Sequence, residues 1–183
     1  MKILEYKKPE ITNSYNLETP LLIFLKELSL IIVEGENSFK FLQGQFTINM
    51  LDLSENKYLF SAHCNYIGKV LSILIVFRYL HGYAYIQRSS VSEFHIQEIK
   101  KYAIFSNIDI YQNNKYYLFG VIGSQSRSVL KKIFRCLPNK ENNLVQERLG
   151  LYILRIEQPL ERFIIVISLD NWNILKKKDI QLF

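Results

Sequence analysis

Short apolar runs divided by polar residues characterise the first part of the chain. The runs at 21–25 and 28–33 are rich in Leu, Ile and Val, and only Lys26 and Glu27 separate them. Runs of this length and composition are typical of β-strands, and so short a polar separation predicts a hairpin. Gly35 then ends the second strand.

Three further apolar runs predict an antiparallel meander, with turns at 66–68 and 81–82. The predicted strands are 57–63, 69–78 and 82–88. Between 91 and 103 the apolar residues recur with the helical period, so a helix is predicted there with Ser90 or Ser92 as its cap. A strand near 108–111 completes this half of the chain.

The remainder of the chain has the element order β-α-β-β-α-β of a ferredoxin-like fold. The predicted elements are 116–123, 125–136, 151–156, 162–168, 170–177 and 179–183, and the third and fourth form a hairpin across Gln158 and Pro159. The polar segment 139–143 is predicted to be an insertion within this unit. The fold class is therefore α+β, with largely antiparallel sheets packed against helices.

The pattern divides the chain into three parts. Residues 1–19 are polar and contain a proline, so they are predicted to be a loosely held lead-in. Residues 20–114 form a first domain of hairpin, helix, meander and helix, and residues 115–183 form the ferredoxin-like domain.

Composition adds limits on function. Apolar residues make up 49% and charged residues 22%, as in globular proteins, and the net charge of +6 permits attraction to RNA phosphates without requiring it. Cys64 and Cys136 lack the spacing of a zinc site or a disulfide framework. No apolar run has the length of a signal peptide core or a membrane span, so a cytoplasmic protein is expected.

Candidate catalytic chemistry is sparse. The chain has no GxSxG, HExxH, CxxC or phosphate-binding loop motif. His81 and His95 are expected to be surface or boundary residues. Cys64 beside His63 is either a reactive thiol favoured by Lys69 or, as is commoner, a small buried apolar residue.

The segment FLQGQFT at 41–47 concentrates amide groups next to a glycine. It overlaps the end of a predicted helix that Asn37 or Ser38 caps and that ends near residue 43. One interpretation is a ligand site, since glutamine both donates and accepts hydrogen bonds. The other is an ordinary helix end with Gly44 as the C′ residue and both glutamines in solvent.

An ordered series of motifs resembles the YgfZ family. The series is FLQGQ with Thr47, AHCN at 62–65 with GK at 68–69, FR at 77–78, KKYAIFSNIDI at 100–110 and PLERFIIV at 159–166. Family members are longer: they continue through a Lys-Gly-Cys-Tyr-x-Gly-Gln-Glu signature and a barrel-like domain. Neither is found in this chain.

The resemblance implies a folate-binding protein that supports iron–sulfur enzymes of tRNA modification, with the fold of the glycine-cleavage aminomethyltransferase but no enzymatic activity. It places tetrahydrofolate against Gln43, Gln45, Asn65 and Lys69, with Leu28 where the family has a folate-associated tryptophan. No catalytic residue and no metal ligand is predicted. The expected partners are folate, tRNA or the enzymes that modify it, and a separate C-terminal polypeptide.

Two departures affect the implied affinity. Asn49 and Asn65 occupy positions that are commonly Asp in the family, and a carboxylate forms a stronger, charge-assisted hydrogen bond with a pterin. The alternative function is therefore a reduced protein that has lost folate and acts as an RNA-binding or protein-binding module, with Lys100, Lys101, Lys131 and Lys132 as candidate phosphate contacts. Aminomethyltransferase activity, inferred from the fold alone, is the least favoured function.

Overall fold

The computed structural model describes residues 19–177. In chain order the elements are β1 (Leu21–Phe24), β2 (Leu28–Glu34), α1 (Ser38–Gln45), a short 3-10 helix (Met50–Asp52), β3 (Tyr58–Cys64), β4 (Val70–Tyr79), β5 (Gly82–Arg88), α2 (Ser89–Lys100), β6 (Asp109–Gln112), β7 (Tyr116–Ile122), α3 (Ser126–Ile133), β8 (Leu144–Arg148), β9 (Leu151–Ile156), β10 (Arg162–Ser168) and α4 (Leu169–Lys177). The α+β class with antiparallel sheets is confirmed.

The chain forms two compact units, each built around a five-stranded antiparallel sheet. The middle unit is Lys26–Asn114, with strand order β3-β4-β5-β2-β6. The outer unit contains residues 19–25 and 115–177, with order β1-β7-β10-β9-β8. In the middle unit β3, β4 and β5 pair in succession, which confirms the predicted meander.

The predicted hairpin between the first two strands is wrong. β1 pairs with β7, from Leu21 opposite Ile122 to Phe24 opposite Phe119, whereas β2 pairs with β5 and β6. The short segment between β1 and β2 therefore leads from one sheet to the other. As a result residues 21–25 lie with 115–177 and not, as predicted, in a domain of 20–114.

The outer unit has the ferredoxin-like strand order in β7, β10 and β9. The edge of β7, where that fold has its last strand, is occupied by β1. The predicted strand at 179–183 lies outside the described residues. The segment 139–143 leads into β8, an edge strand that the apolar pattern does not predict.

The two units repeat one arrangement of elements. In each, a strand leads through a left-handed glycine, Gly35 or Gly123, into an eight-residue helix. Ser38 N donates to Gly35 O, and Ser126 N donates to Gly123 O, both at 3.1 Å. Read in reverse, the strand order of the outer unit is β8-β9-β10-β7-β1. This order corresponds strand by strand to β3-β4-β5-β2-β6 of the middle unit, so β1 has the edge position that β6 has there.

The ends of α1 and α2 match the predictions only in part. α2 begins at Ser89 with Arg88 as its cap residue, so Ser90 and Ser92 lie inside the helix. Asn37 is the cap residue of α1, but its side chain makes no capping hydrogen bond. Gly44 lies within α1 and Phe46 is the C-cap, so Gly44 is not the C′ residue.

An ion-pair network joins α3 to the β9–β10 hairpin in the outer unit. Glu161 accepts from Arg155 Nε at 2.6 Å and from Arg127 Nε and Nη2, each at 2.9 Å. The two guanidinium groups hold the pKa of Glu161 far below its ordinary range, at about 2. Arg127 also donates to Pro138 O, so one side chain ties three segments together.

Across residues 19–177, no helix has the length and apolar character needed to cross a membrane. Cys64 and Cys136 are both free thiols. Trp172 of α4 packs in the core of the outer unit, with its ring centroid 4.5 Å from that of Phe119.

Candidate ligand-binding site

A groove of about 420 Å³ opens on the middle unit, where β2, β4 and β5 meet the start of α2. Its lining is largely aliphatic and includes one exposed aromatic ring, that of Phe60. The lining residues are Leu28, Phe60, Val70, Leu71, Ser72, Ile73, Ile75, Ile86, Gln87, Arg88 and Val91. A groove of this size with few polar groups is typical of a small-molecule site.

A polar pair is buried on the core face of the sheet, behind the groove. Within β4 and β5, Ser72 and Gln87 follow the strand period that also buries Leu74 and Tyr85. Ser72 Oγ donates to Gln87 Oε1 at 2.8 Å, which fixes the amide. Gln87 is 2% exposed, and its Nε2 has no hydrogen-bond partner within the described part of the chain.

The Ser72 and Gln87 side chains lie on the face of the sheet opposite Phe60 and Ile75, so the buried Gln87 Nε2 does not reach the groove. The groove itself offers apolar contacts and one positive charge. Arg88 at the end of β5 is exposed and supplies a positive charge to the lining. Phe60 and the aliphatic side chains offer a surface against which a flat ring packs.

Of the five residues predicted to bind folate, Leu28 lines the groove. Asn65 and Lys69 lie in the turn just before β4: Asn65 Oδ1 accepts from Ile67 N at 3.2 Å and from Lys69 N at 2.9 Å. Lys69 itself is exposed next to Val70, a lining residue. The amide oxygen of Asn65 therefore stabilises this turn.

Gln43 and Gln45 lie on α1 and are not among the lining residues of the groove. Gln43 is exposed, and its Oε1 accepts from Met50 N at 2.7 Å, which fixes the start of the 3-10 helix. Asn49 caps that helix through its own Oδ1, which accepts from Leu51 N. A role for Gln43 and Gln45 in binding stays a prediction.

The sequence interpretation identified Leu28 alone among the eleven lining residues and missed the other ten, which include Phe60 and Arg88. One signal was available: Gln87 and Arg88 are polar residues that end an otherwise apolar strand, GYAYIQR. The partnership of Ser72 with Gln87 depends on the pairing of sequence-distant strands, which no local pattern reveals.

Two histidines meet behind the groove. His63 Nδ1 lies 2.9 Å from His95 Nε2, and Tyr85 Oη lies 3.4 Å from His95 Nδ1. His63 is 1% exposed and His95 is fully buried, so the prediction of His95 as a surface or boundary residue is wrong. Burial, with the neighbouring His63 as the second cause, lowers the pKa of His95 to about 4. Burial also lowers the pKa of His63, against an opposing effect of Glu98.

Comparison with known proteins finds relatives of one name. No family model matches it. The tRNA-modifying protein YgfZ of Buchnera aphidicola subsp. Baizongia pistaciae is 44% identical over 160 residues, which is 86% of this chain. The proteins of the same name from the subspecies Schizaphis graminum and Acyrthosiphon pisum are 40% and 43% identical over 98% and 86% of the chain. The resemblance to the YgfZ family is therefore confirmed over the part that the chain shares with these proteins.

The chain spans about half the length of these YgfZ relatives, between 49% and 56%. Among solved structures, aminomethyltransferase T of the glycine cleavage system from Bartonella henselae matches 90% of the chain and 46% of its own, with a TM-score of 0.75 at 19% identity. The heterotetrameric sarcosine oxidase from Corynebacterium sp. U-96 matches 84% and 78%, with a TM-score of 0.56 at 8% identity. These two similarities establish the fold.

Proposed function

We propose that the chain is a folate-binding protein of tRNA modification that supports iron–sulfur enzymes and acts by binding rather than by turnover. The observation that carries the folate assignment is the aliphatic groove with the exposed ring of Phe60 and the charge of Arg88. The name of the YgfZ relatives, tRNA-modifying protein, supports the pathway. The cytoplasm is the compartment in which we expect this function.

The groove fits the chemistry of a reduced folate. The pterin is a flat heterocycle that packs well against aromatic and aliphatic side chains. Phe60 and Leu28 would contact the ring faces. Arg88 would pair with a glutamate carboxylate, and Lys69, in the turn before the groove, would add a second positive charge. In the predicted mode Gln43, Gln45 and Asn65 contribute further amide contacts.

Calorimetry with 5-formyltetrahydrofolate, a stable reduced folate, tests this proposal. We expect binding to the wild-type chain and about tenfold weaker binding to Arg88→Leu, because a charge-assisted contact with the glutamate carboxylate is lost. Arg148→Leu, at an exposed residue of the outer unit, is the matched control and leaves the affinity unchanged. Absence of binding at millimolar ligand, or equal affinity in both variants, contradicts the proposal for this groove.

Binding without turnover is tested separately. We expect no consumption of an aminomethyl donor when the chain is incubated with tetrahydrofolate, measured as ammonia release. Sustained release above a protein-free control contradicts the non-enzymatic proposal.

A second candidate function, RNA binding, is favoured by adjacent exposed lysines. Lys131 and Lys132 are exposed in the last turn of α3. At the end of α2 Lys100 is exposed, whereas Lys101 pairs with Glu98. If the lysines of α3 contact tRNA phosphates, affinity falls steeply with salt, and Lys131→Glu with Lys132→Glu reduces the slope by about two. An unchanged slope excludes this face.

A further inference from the structure

Positive charge is distributed unevenly between the two units. Residues 26–114, the middle unit, contain eight Lys and Arg and eight Asp and Glu, so the charges of this unit balance. Residues 115–177 of the outer unit contain eleven basic and five acidic residues. In the part of the chain that the structure describes, the excess of positive charge therefore belongs to the outer unit.

Three of the five acidic residues of the outer unit already have partners. Glu157 and Glu161 form ion pairs within the network at the β9–β10 hairpin. Glu147 of β8 accepts hydrogen bonds from the backbone N–H groups of Arg135 and Cys136, each at 3.1 Å. Because these carboxylates are engaged locally, they do little to offset the other basic residues of the unit.

Four exposed basic residues gather where α3 and β8 end. Lys131 and Lys132 lie in the last turn of α3, and Arg135 follows the helix. The hydrogen bonds to Glu147 hold the backbone at Arg135 against β8, and Arg148 is the last residue of that strand. No ion pair joins any of the four to another described residue. Together they form the basic surface of the outer unit.

The repeated architecture shows that the fold does not need this charge. α1 is the counterpart of α3 in the middle unit, and its last turn contains no basic residue. β3 is the counterpart of β8, and its sequence YLFSAHC contains neither Lys nor Arg. The helix dipole favours basic residues at the ends of both helices alike, so it does not explain why only α3 has them. The basic surface therefore points to a partner and not to a requirement of folding.

We propose that the basic surface binds the phosphates of RNA, so that RNA binding is a property of the outer unit while the candidate folate groove belongs to the middle unit. The proposal rests on the RNA-binding candidate function and deepens it, because it adds Arg135 and Arg148 to the lysines of α3. Lys and Arg bind phosphates by charge, with release of counterions from the RNA. Such contacts carry no base information, so the binding is independent of sequence.

Fluorescence anisotropy with labelled tRNA between about 50 and 200 mM salt tests the proposal. We expect Arg135→Gln with Arg148→Gln to reduce the slope of log affinity against log salt by about 1.5–2, because each lost phosphate contact removes roughly 0.7–0.9. Lys40→Gln with Lys57→Gln, at two exposed lysines of the middle unit, removes the same net charge and is the matched control. An equal change in the two double variants reflects net charge alone and overturns the proposal.

A charge-preserving variant separates loss of charge from loss of structure. We expect Arg135→Lys with Arg148→Lys to keep the wild-type slope, because counterion release depends on charge. A slope that falls as far in this variant as in the glutamine variant overturns the phosphate contact.

The outcomes also separate this proposal from the candidate function on which it rests. If the wild-type chain does not bind tRNA at low salt, both are wrong, and binding to vesicles of phosphatidylserine and phosphatidylcholine in that case identifies a membrane surface as the partner. If the slope depends on Lys131 and Lys132 but not on Arg135 and Arg148, RNA binding stands and the wider basic surface is wrong.

Discussion

Leu28 lies at the first residue of β2 and lines the groove, at the position where the family resemblance places a folate-associated tryptophan. Leu28→Trp restores an aromatic surface at this wall. We expect about fivefold tighter binding of 5-formyltetrahydrofolate, because aromatic stacking adds about 1 kcal/mol beyond area burial. Leu149→Trp, at an exposed leucine of the outer unit, is the control. Calorimetry decides, and weaker binding by Leu28→Trp shows that the aliphatic wall itself fits the ligand.

The lowered pKa of His95 predicts how the free energy of unfolding depends on pH. Its pKa is about 4 in the folded chain against an ordinary value of 6.5, so the unfolded chain binds more protons below pH 6.5. The free energy of unfolding is therefore highest above pH 6.5 and falls by roughly 3 kcal/mol as the pH decreases to about 4. Urea unfolding at several pH values measures this fall. A fall of equal size in His95→Gln contradicts the assignment, whereas His81→Gln is expected to follow the wild type.

The lowered pKa of Glu161 predicts a second dependence of stability on pH, in a more acidic range. Its pKa is lowered from 4.5 to about 2, so its stabilising effect is present above pH 4.5 and is lost as the pH falls toward 2. At pH 7 Glu161→Gln is expected to cost about 1–2 kcal/mol, because the largely buried Arg155 loses a charged partner while solvent screens part of the effect. Chemical denaturation of Glu161→Gln beside Glu141→Gln, an exposed carboxylate, gives the difference. Equal stabilities of the two variants contradict this prediction.

At the level of elements, the glycine before α1 is required by both conformation and space. Gly35 has φ of +121°, and a Cβ added there would lie 2.5 Å from Asn107 O. We expect Gly35→Ala to destabilise the middle unit by at least about 2 kcal/mol. Gly44→Ala is the opposing control: no atom lies within 4 Å of its added Cβ, and alanine favours a helix by about 0.5–1 kcal/mol. Thermal unfolding of both variants measures the two effects, and similar melting temperatures contradict this account.

Local patterns predicted the elements better than their partners. β3, β4, β5, β9 and β10 begin and end within about two residues of their predicted limits, because a long apolar run between turn residues determines a strand by itself. β8 was missed because LVQER contains only two apolar residues. The hairpin prediction failed for β1 because Lys26 and Glu27 indicate only where a strand ends, not which strand it pairs with. The strand that pairs with β1 is β7, which is far away in sequence.

At the level of the whole molecule, β1 belongs to the sheet of the outer unit, so the stability of that unit depends on a segment that is distant in sequence. Deletion of residues 1–25 removes the edge partner of β7 and the contact of Leu22 with the core. We expect hydrogen exchange at the amides of β7 to accelerate at least tenfold, about 1.4 kcal/mol of lost local stability, while β2, β4 and β5 stay protected. Unchanged exchange in β7 shows that β1 contributes little, and acceleration in both units shows that they unfold together.

The fold class and the family resemblance could be inferred from the sequence, because apolar periodicity and an ordered series of motifs extend through most of the chain. The site was inferred only in part. Leu28 was identified by resemblance, but Phe60 and Arg88 come together with it only through strand pairing, and His63 and His95 meet only because α2 packs on the sheet. Chemistry that arises from tertiary contacts leaves no local signature.

The position of β1 also has a consequence for synthesis of the protein. The middle unit is continuous in sequence and can form as soon as Asn114 leaves the ribosome, but β1 is made before it and finds its partner only after Tyr116–Ile122 has emerged. At ordinary rates of translation this interval is on the order of ten seconds. During that time LLIF is an unsatisfied apolar strand on a nascent chain, a natural target for chaperones.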